Sequence, residues 1–149
     1  MQYPINDFLP KLDNLTADTK PLWGKMTAQH MVEHLIMSVQ MSNGKEHFEC
    51  FNPPEKLPAL RRFLLSDRPL PRNFVNPVIG PDNLPLRYPD IEETKKILES
   101  EINYYHKFFE SNPDAKPTNV TFGELNKAEW DQFHKKHFTH HLTQFNLLD

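Results

Sequence analysis

Apolar residues recur at three- and four-residue spacing in three stretches of the chain, and each stretch is bounded by residues that start or stop helices. From Thr27 to about Asn43, TAQHMVEHLIMSVQMSN places Met31, His34, Leu35 and Ser38 on one face. Thr27 can cap its start and Gly44 can end it. From Pro89 to about Ser111, the stripe is Ile91, Thr94, Ile97/Leu98, Ile102, Tyr105 and Phe108/Phe109, with acids early and lysines later, as the helix dipole favours. From Asn126 to about Asn146, a capping-box pair, Asn126 and Glu129, precedes an inward face of Trp130, Phe133, His137, His141 and Gln144. A shorter helix is expected from about Pro4 to Leu15, interrupted by Pro10.

Between Cys50 and Pro89 the pattern breaks, because nine of the 14 prolines fall there. Regular structure should be scarce in this stretch, apart from a short helix over Leu57 to Ser66. Phe74, Val75, Val78 and Ile79 are apolar enough to lie back on the core. So long a connection lets the helices on either side of it run parallel, where a short loop would force them antiparallel. The 149 residues fit a single domain, 1–149.

Charge removes several functions. The 17 basic residues are scattered among 20 acidic ones for a net charge of -3, so there is no basic patch of the kind a nucleic acid requires. The first residues lack a signal-peptide pattern, and no run approaches the roughly 18 apolar residues of a membrane span. A soluble cytoplasmic protein is expected. The single cysteine, Cys50, excludes an internal disulfide and a thiolate zinc cage. Any metal must then be held by His, Asp or Glu.

Histidine is where the sequence concentrates its chemistry. There are eight, and four of them fall within eight positions: His134, His137, His140 and His141. Residues four apart on a helix differ by about 40° and about 6 Å of rise, so His137 and His141 can reach one point in front of the helix. His134 and His141 point the same way but lie about 10.5 Å apart, too far to share an ion. His134 and His140 are expected to face solvent or to touch the ligands from behind. A third ligand must come from another element, and the Thr27 helix offers a second pair, His30 and His34. A lone histidine is usually a surface or hydrogen-bonded core residue, and a polar seam of histidines without metal is the competing structural reading. The clustering is what points to a metal.

Other motifs carry less. His30-Met-Val-Glu33-His34 matches H-x-x-E-H, but proteases of that type need a far larger chain and a downstream acidic ligand, and Glu33 points about 100° away from His34. There is no G-x-S-x-G elbow, no sign of an activated thiol around Cys50, and, with four glycines, no Gly-rich phosphate loop.

The stretch His137-Phe-Thr-His140-His141-Leu-Thr-Gln144 resembles the H-x-x-H-H-x-x-Q signature of the DinB/YfiT-like superfamily. Trp23-Gly-Lys-Met-Thr-Ala-Gln29-His-Met-Val-Glu-His34-Leu is similar to the segment of the second helix that carries that superfamily's third ligand. Phe122-Gly-Glu-Leu-Asn-Lys-Ala-Glu-Trp130 is similar to the lead-in found in a subgroup of small uncharacterised members. The resemblance implies an all-α four-helix bundle, with the Pro-rich stretch as a long crossover connection. It also implies a metal site of His34, His137 and His141, with water at an open position and His30 as the alternative to His34. The implied cofactor is one divalent metal ion, zinc or nickel first, with iron or manganese as further candidates. The implied activity is transfer of a low-molecular-weight thiol, or a related hydrolysis, on a small-molecule substrate; the alternative is a non-catalytic small-ligand-binding or sensory bundle. Neither a nucleic acid nor a membrane is expected as partner, and a homodimer is compatible with the resemblance. The Pro-rich connection is longer than in the simpler members, and it bears directly on the shape of the pocket.

Overall fold

Thr27 opens the first long helix by accepting the His30 backbone N–H on its Oγ1, and α1 runs from Ala28 to Ser42. In the computed structural model, which describes residues 4–72 and 83–148, the remaining elements are α2 (Leu57–Leu64), α3 (Ile91–Ser111), α4 (Lys127–Gln144), a two-stranded ribbon of β1 (Thr118–Asn119) and β2 (Gly123–Glu124), and 3-10 helices at Pro4–Asn14 and Pro54–Lys56. The protein is mostly helical. Phe74, Val75, Val78 and Ile79, expected to lie on the core, fall outside the described residues. Among the described residues, no helix is long and apolar enough to cross a membrane.

Local chemistry sets the helix ends. Asp90 caps α3 by accepting the Glu93 N–H, with Glu92 and Glu93 in the first turn. Asn126 and Glu129 form the reciprocal capping box of α4. Asn43 closes α1, and Gly44 follows in the left-handed region at φ 83°.

Side-chain contacts fix the helix directions. Glu33, early in α1, binds the backbone of Arg87 and Tyr88 just before α3, while Asn43 at the far end of α1 reaches Glu101 midway along α3. The two helices therefore run parallel, as the long connection between them permits. α4 runs the other way. Its His134 meets Ser42, its His137 meets His34, and its Gln144 meets the Trp23 backbone ahead of α1. This antiparallel crossing is what brings residue 34 opposite residues 137 and 141.

The core lies between α1, α3 and α4, with Leu35, Leu98, Ile102, Tyr105, Trp130 and Phe138 all fully buried. Two expectations for α4 are corrected here. Its buried surface is broader than the single face read from the sequence, since Phe138 and Leu142 are also fully buried, and Phe138 packs on Phe8 of the N-terminal segment. His134 does not face solvent. It is fully buried, stacked near Trp130 and edge-on to Tyr105. The Ser42 hydroxyl gives its one proton to the Val39 carbonyl, so His134 Nε2 must carry the hydrogen of the 2.8 Å contact between them.

The N-terminal helix is real but of another type. Pro4–Asn14 forms a 3-10 helix, not an α-helix, with Pro10 inside it. Proline lacks the amide hydrogen and its ring clashes with the carbonyl four residues back in an α-helix, which favours the tighter winding. The ribbon was not anticipated. Asn119 Oδ1 accepts the N–H groups of Thr121 and Phe122, and Gly123 completes the turn at φ 80°. Lys136, itself buried on α4, extends its Nζ to the carbonyls of Ser66 and Arg68 and ties down the chain leaving α2.

Candidate metal centre

His34 on α1 and His137 and His141 on α4 converge through their Nε2 atoms. His137 Nε2 lies 2.9 Å from His34 Nε2 and 3.1 Å from His141 Nε2, and one ligand atom from each residue falls within 4.8 Å of the others. Two imidazole nitrogens on a common ion at about 2.0–2.1 Å sit roughly 3.0–3.4 Å apart, close to these spacings. The four-residue step along α4 supplies two of the rings, and the antiparallel crossing supplies the third. These are the three residues the sequence singled out.

A short relay orients His141. The Trp23 carbonyl can only accept, so Gln144 must turn its Nε2 amide toward it, at 2.9 Å. Gln144 Oε1 then faces His141 Nδ1 at 2.8 Å, and that nitrogen must be the donor. Its hydrogen is therefore on Nδ1, and the lone pair of Nε2 points inward, the arrangement a metal ligand needs. Gly24 is part of this device. It has φ 86°, and a Cβ there would come within 2.8 Å of Gln144 Nε2. Gln144→Leu should weaken metal affinity by about 10–100-fold while leaving the helical circular dichroism intact, because the supporting partner is lost but no ligand is. Unchanged affinity in a competition titration against a chromophoric chelator would remove the relay from the account.

The fit to a cation can be tested on the rings themselves. His141 presents a bare Nε2. If His137 Nε2 carries a hydrogen, it can direct it at one neighbour only; if it carries none, it faces His141 lone pair to lone pair. In every tautomer, one of the two close contacts lacks a hydrogen bond. A cation among the three nitrogens satisfies all of them together, so the residues fit a divalent ion. On the outer side, His137 Nδ1 is buried with no hydrogen-bond partner among the described residues.

Burial also keeps the rings neutral. Desolvation lowers His34 from 6.5 to about 4, with His140 adding to the effect. Desolvation likewise holds His137 well below that range, helped first by His141 and then by His34, and it does the same to His141, helped by His34 and His140. Neutral imidazole is the form that binds metal.

The neighbouring histidines divide. His140 is half-buried, its ring edge-on to His141 with centroids 4.8 Å apart and 5.6 Å from the Trp23 ring, so it touches a candidate ligand from behind, as expected. His134 belongs to the core seam instead. His30 is outside the cluster. Its Nδ1 lies 2.6 Å from Thr27 Oγ1 at the start of α1, and His34, not His30, is the α1 residue grouped with His137 and His141. Glu33 is turned to the backbone amides of Arg87 and Tyr88, at 2.8 and 3.3 Å, with Gln29 at 3.0 Å. The H-x-x-E-H pattern therefore holds no site of its own.

In front of the three rings lies a cavity of about 740 Å³, with Met26, Met37, Met41, Phe63, Phe122 and Phe133 among its apolar walls. Its size suits a small molecule. Of these walls only Phe133 reads as inward from the sequence, since Met37 and Met41 lie one and two turns beyond His34 on α1, while Phe63 and Phe122 come from remote parts of the chain. No family model, curated protein or solved structure matches this chain.

Proposed function

We propose that the chain is a divalent-metal-binding protein of the DinB/YfiT-like type, built as a four-helix bundle, and that it transfers a low-molecular-weight thiol to an electrophile or performs a related hydrolysis. The observation that carries this reading is the convergence of three neutral imidazole nitrogens on an apolar cavity large enough for a substrate. A structural zinc site is closed by four protein ligands, whereas three leave a position open toward the cavity. A divalent ion, when bound, supplies a Lewis acid that lowers the pKa of a thiol or water beside it toward neutrality.

The chain's own residues do the rest. Gln144 and the Trp23 carbonyl hold His141 in the right tautomer and orientation, and His34 and His137 stay unprotonated at neutral pH. The methionine and phenylalanine walls exclude water from the reacting groups and strengthen every electrostatic interaction there.

A second reading, a non-catalytic ligand-binding or sensory bundle, is favoured by one observation. Glu33 is the only carboxylate lining the cavity among the described residues, and it is already occupied by two backbone amides. Conjugation of several small thiols to a chromogenic aryl halide by the metal-loaded protein separates the two readings. The first expects metal-dependent turnover that His137→Ala reduces to the uncatalysed rate. Stoichiometric metal with no turnover on any thiol, and no hydrolysis of activated esters, would leave the second.

A further inference from the structure

The charged groups around the cavity are unequal. Lys25, Arg72 and Arg87 line it, against Glu33 as the single acid among the described residues, and the Glu33 carboxylate already faces the amides of Arg87 and Tyr88. Arg72 forms no ion pair among the described residues. Its guanidinium, on an exposed residue, lies over the Trp23 ring with Cζ 4.2 Å from the centroid, a cation–π contact. Trp23 lines the same cavity and packs against that guanidinium.

Trp23 in turn sits close to the candidate ligands. Trp23 touches His140, His140 touches His141, and the Trp23 carbonyl holds the amide that orients His141. The cavity therefore joins positive charge to a wall that includes several methionine and phenylalanine side chains.

We infer that the molecule bound in this cavity is an amphiphilic anion, its acidic head on Arg72 and its apolar body along the Met37, Met41, Phe63 and Phe133 walls. This names the substrate class and rests on the reading of the cavity as the working site in front of the histidines. Guanidinium recognises a carboxylate or phosphate through paired, charge-assisted hydrogen bonds, which a neutral head of the same size does not form. Methionines adapt to an apolar body of varied shape.

Three probes with one tail and different heads test this: octanoate, octanol and octylammonium, titrated at pH 8 by calorimetry into the full chain, both metal-free and zinc-loaded. In the metal-free protein, where no ion can hold the carboxylate, octanoate should bind at least about tenfold tighter than octanol, and octylammonium weakest. Arg72→Ala and the length-preserving Arg72→Gln should bring octanoate to the level of octanol and leave octanol within about twofold, which shows that the cavity is intact. Equal affinity for octanoate and octanol, binding of none of the three, or an anion preference untouched by both variants would each overturn the inference. Failure of the metal reading is seen separately, as no uptake of zinc with the anion preference still present.

Discussion

His137→Ala should abolish the gain in thermal stability that zinc or nickel confers. An ion that binds only the folded state stabilises it by mass action, by about 4 kcal/mol when free metal is a thousandfold above its dissociation constant. For a chain of this size that raises the melting temperature by roughly 8–16 °C. His137 stands between the other two rings, 2.9 Å from one and 3.1 Å from the other. Without it the remaining pair, one from each helix, cannot form a three-ligand site, and the metal-dependent shift should fall to within about 1–2 °C of zero. Differential scanning calorimetry of both proteins, each with and without metal, isolates this shift from any change the substitution makes in the metal-free state. An undiminished shift in His137→Ala would place the metal elsewhere.

The second large effect is loss of stability in acid. His134 is fully buried, and desolvation, followed by the effect of His106, lowers it from 6.5 to about 3. His34, His137 and His141 are lowered too, in each case mainly by desolvation. The folded state therefore binds fewer of these protons than the unfolded chain at every pH between about 3 and 6.5. Stability rises with pH in that window, so it is complete above about 6.5 and is lost on acidification below it. Each such histidine steepens the loss by about 1.4 kcal/mol per pH unit. At pH 5, His134 alone accounts for roughly 2 kcal/mol, a large share of the stability of an ordinary domain. The metal-free protein should unfold cooperatively in mild acid, and His134→Leu, which leaves Ser42 bonded to Val39, should reduce the slope by one proton. Urea midpoints measured from pH 7 to pH 4.5 give that slope, and an identical slope in the variant would mean that His134 is not the buried neutral base described.

How much of this was legible in the sequence depends on how local each signal is. Thr27 and the Asn126/Glu129 pair act within one turn, so the starts of α1 and α4 followed from residue types alone, while the start of α3 and the end of α4 fell two residues inside the expected bounds. His137 and His141 were readable for the same reason, since a four-residue step fixes their relation without knowledge of the fold. His34 needed more. The four-residue pair on α1 left His30 open beside it, and the apolar stripe and the resemblance to a known ligand segment both favoured His34; in the structure His30 is drawn to Thr27 and His34 meets α4.

The failures were non-local. α4 is buried on both sides, against α1 on one and the N-terminal 3-10 helix on the other, and such a helix has no single apolar stripe to read. His134 was expected near solvent because nothing in the sequence shows that Ser42, 92 residues away, would be its partner. Two-residue strands are too short to show a period of two, so the ribbon at Thr118–Glu124 left no pattern. The charged lining of the cavity joins residues 25, 72 and 87, which only the folded chain brings together.

The central claim is that His34, His137 and His141 hold one divalent ion, and the most direct measurement is metal content by elemental mass spectrometry. Untagged protein purified without chelator, and reconstituted where needed, is compared with the His137→Ala/His141→Ala double variant. The account predicts close to one equivalent of zinc, nickel, iron or manganese in the wild type and none in the variant. No metal in the wild type after reconstitution with each ion, or equal metal in both proteins, would contradict it.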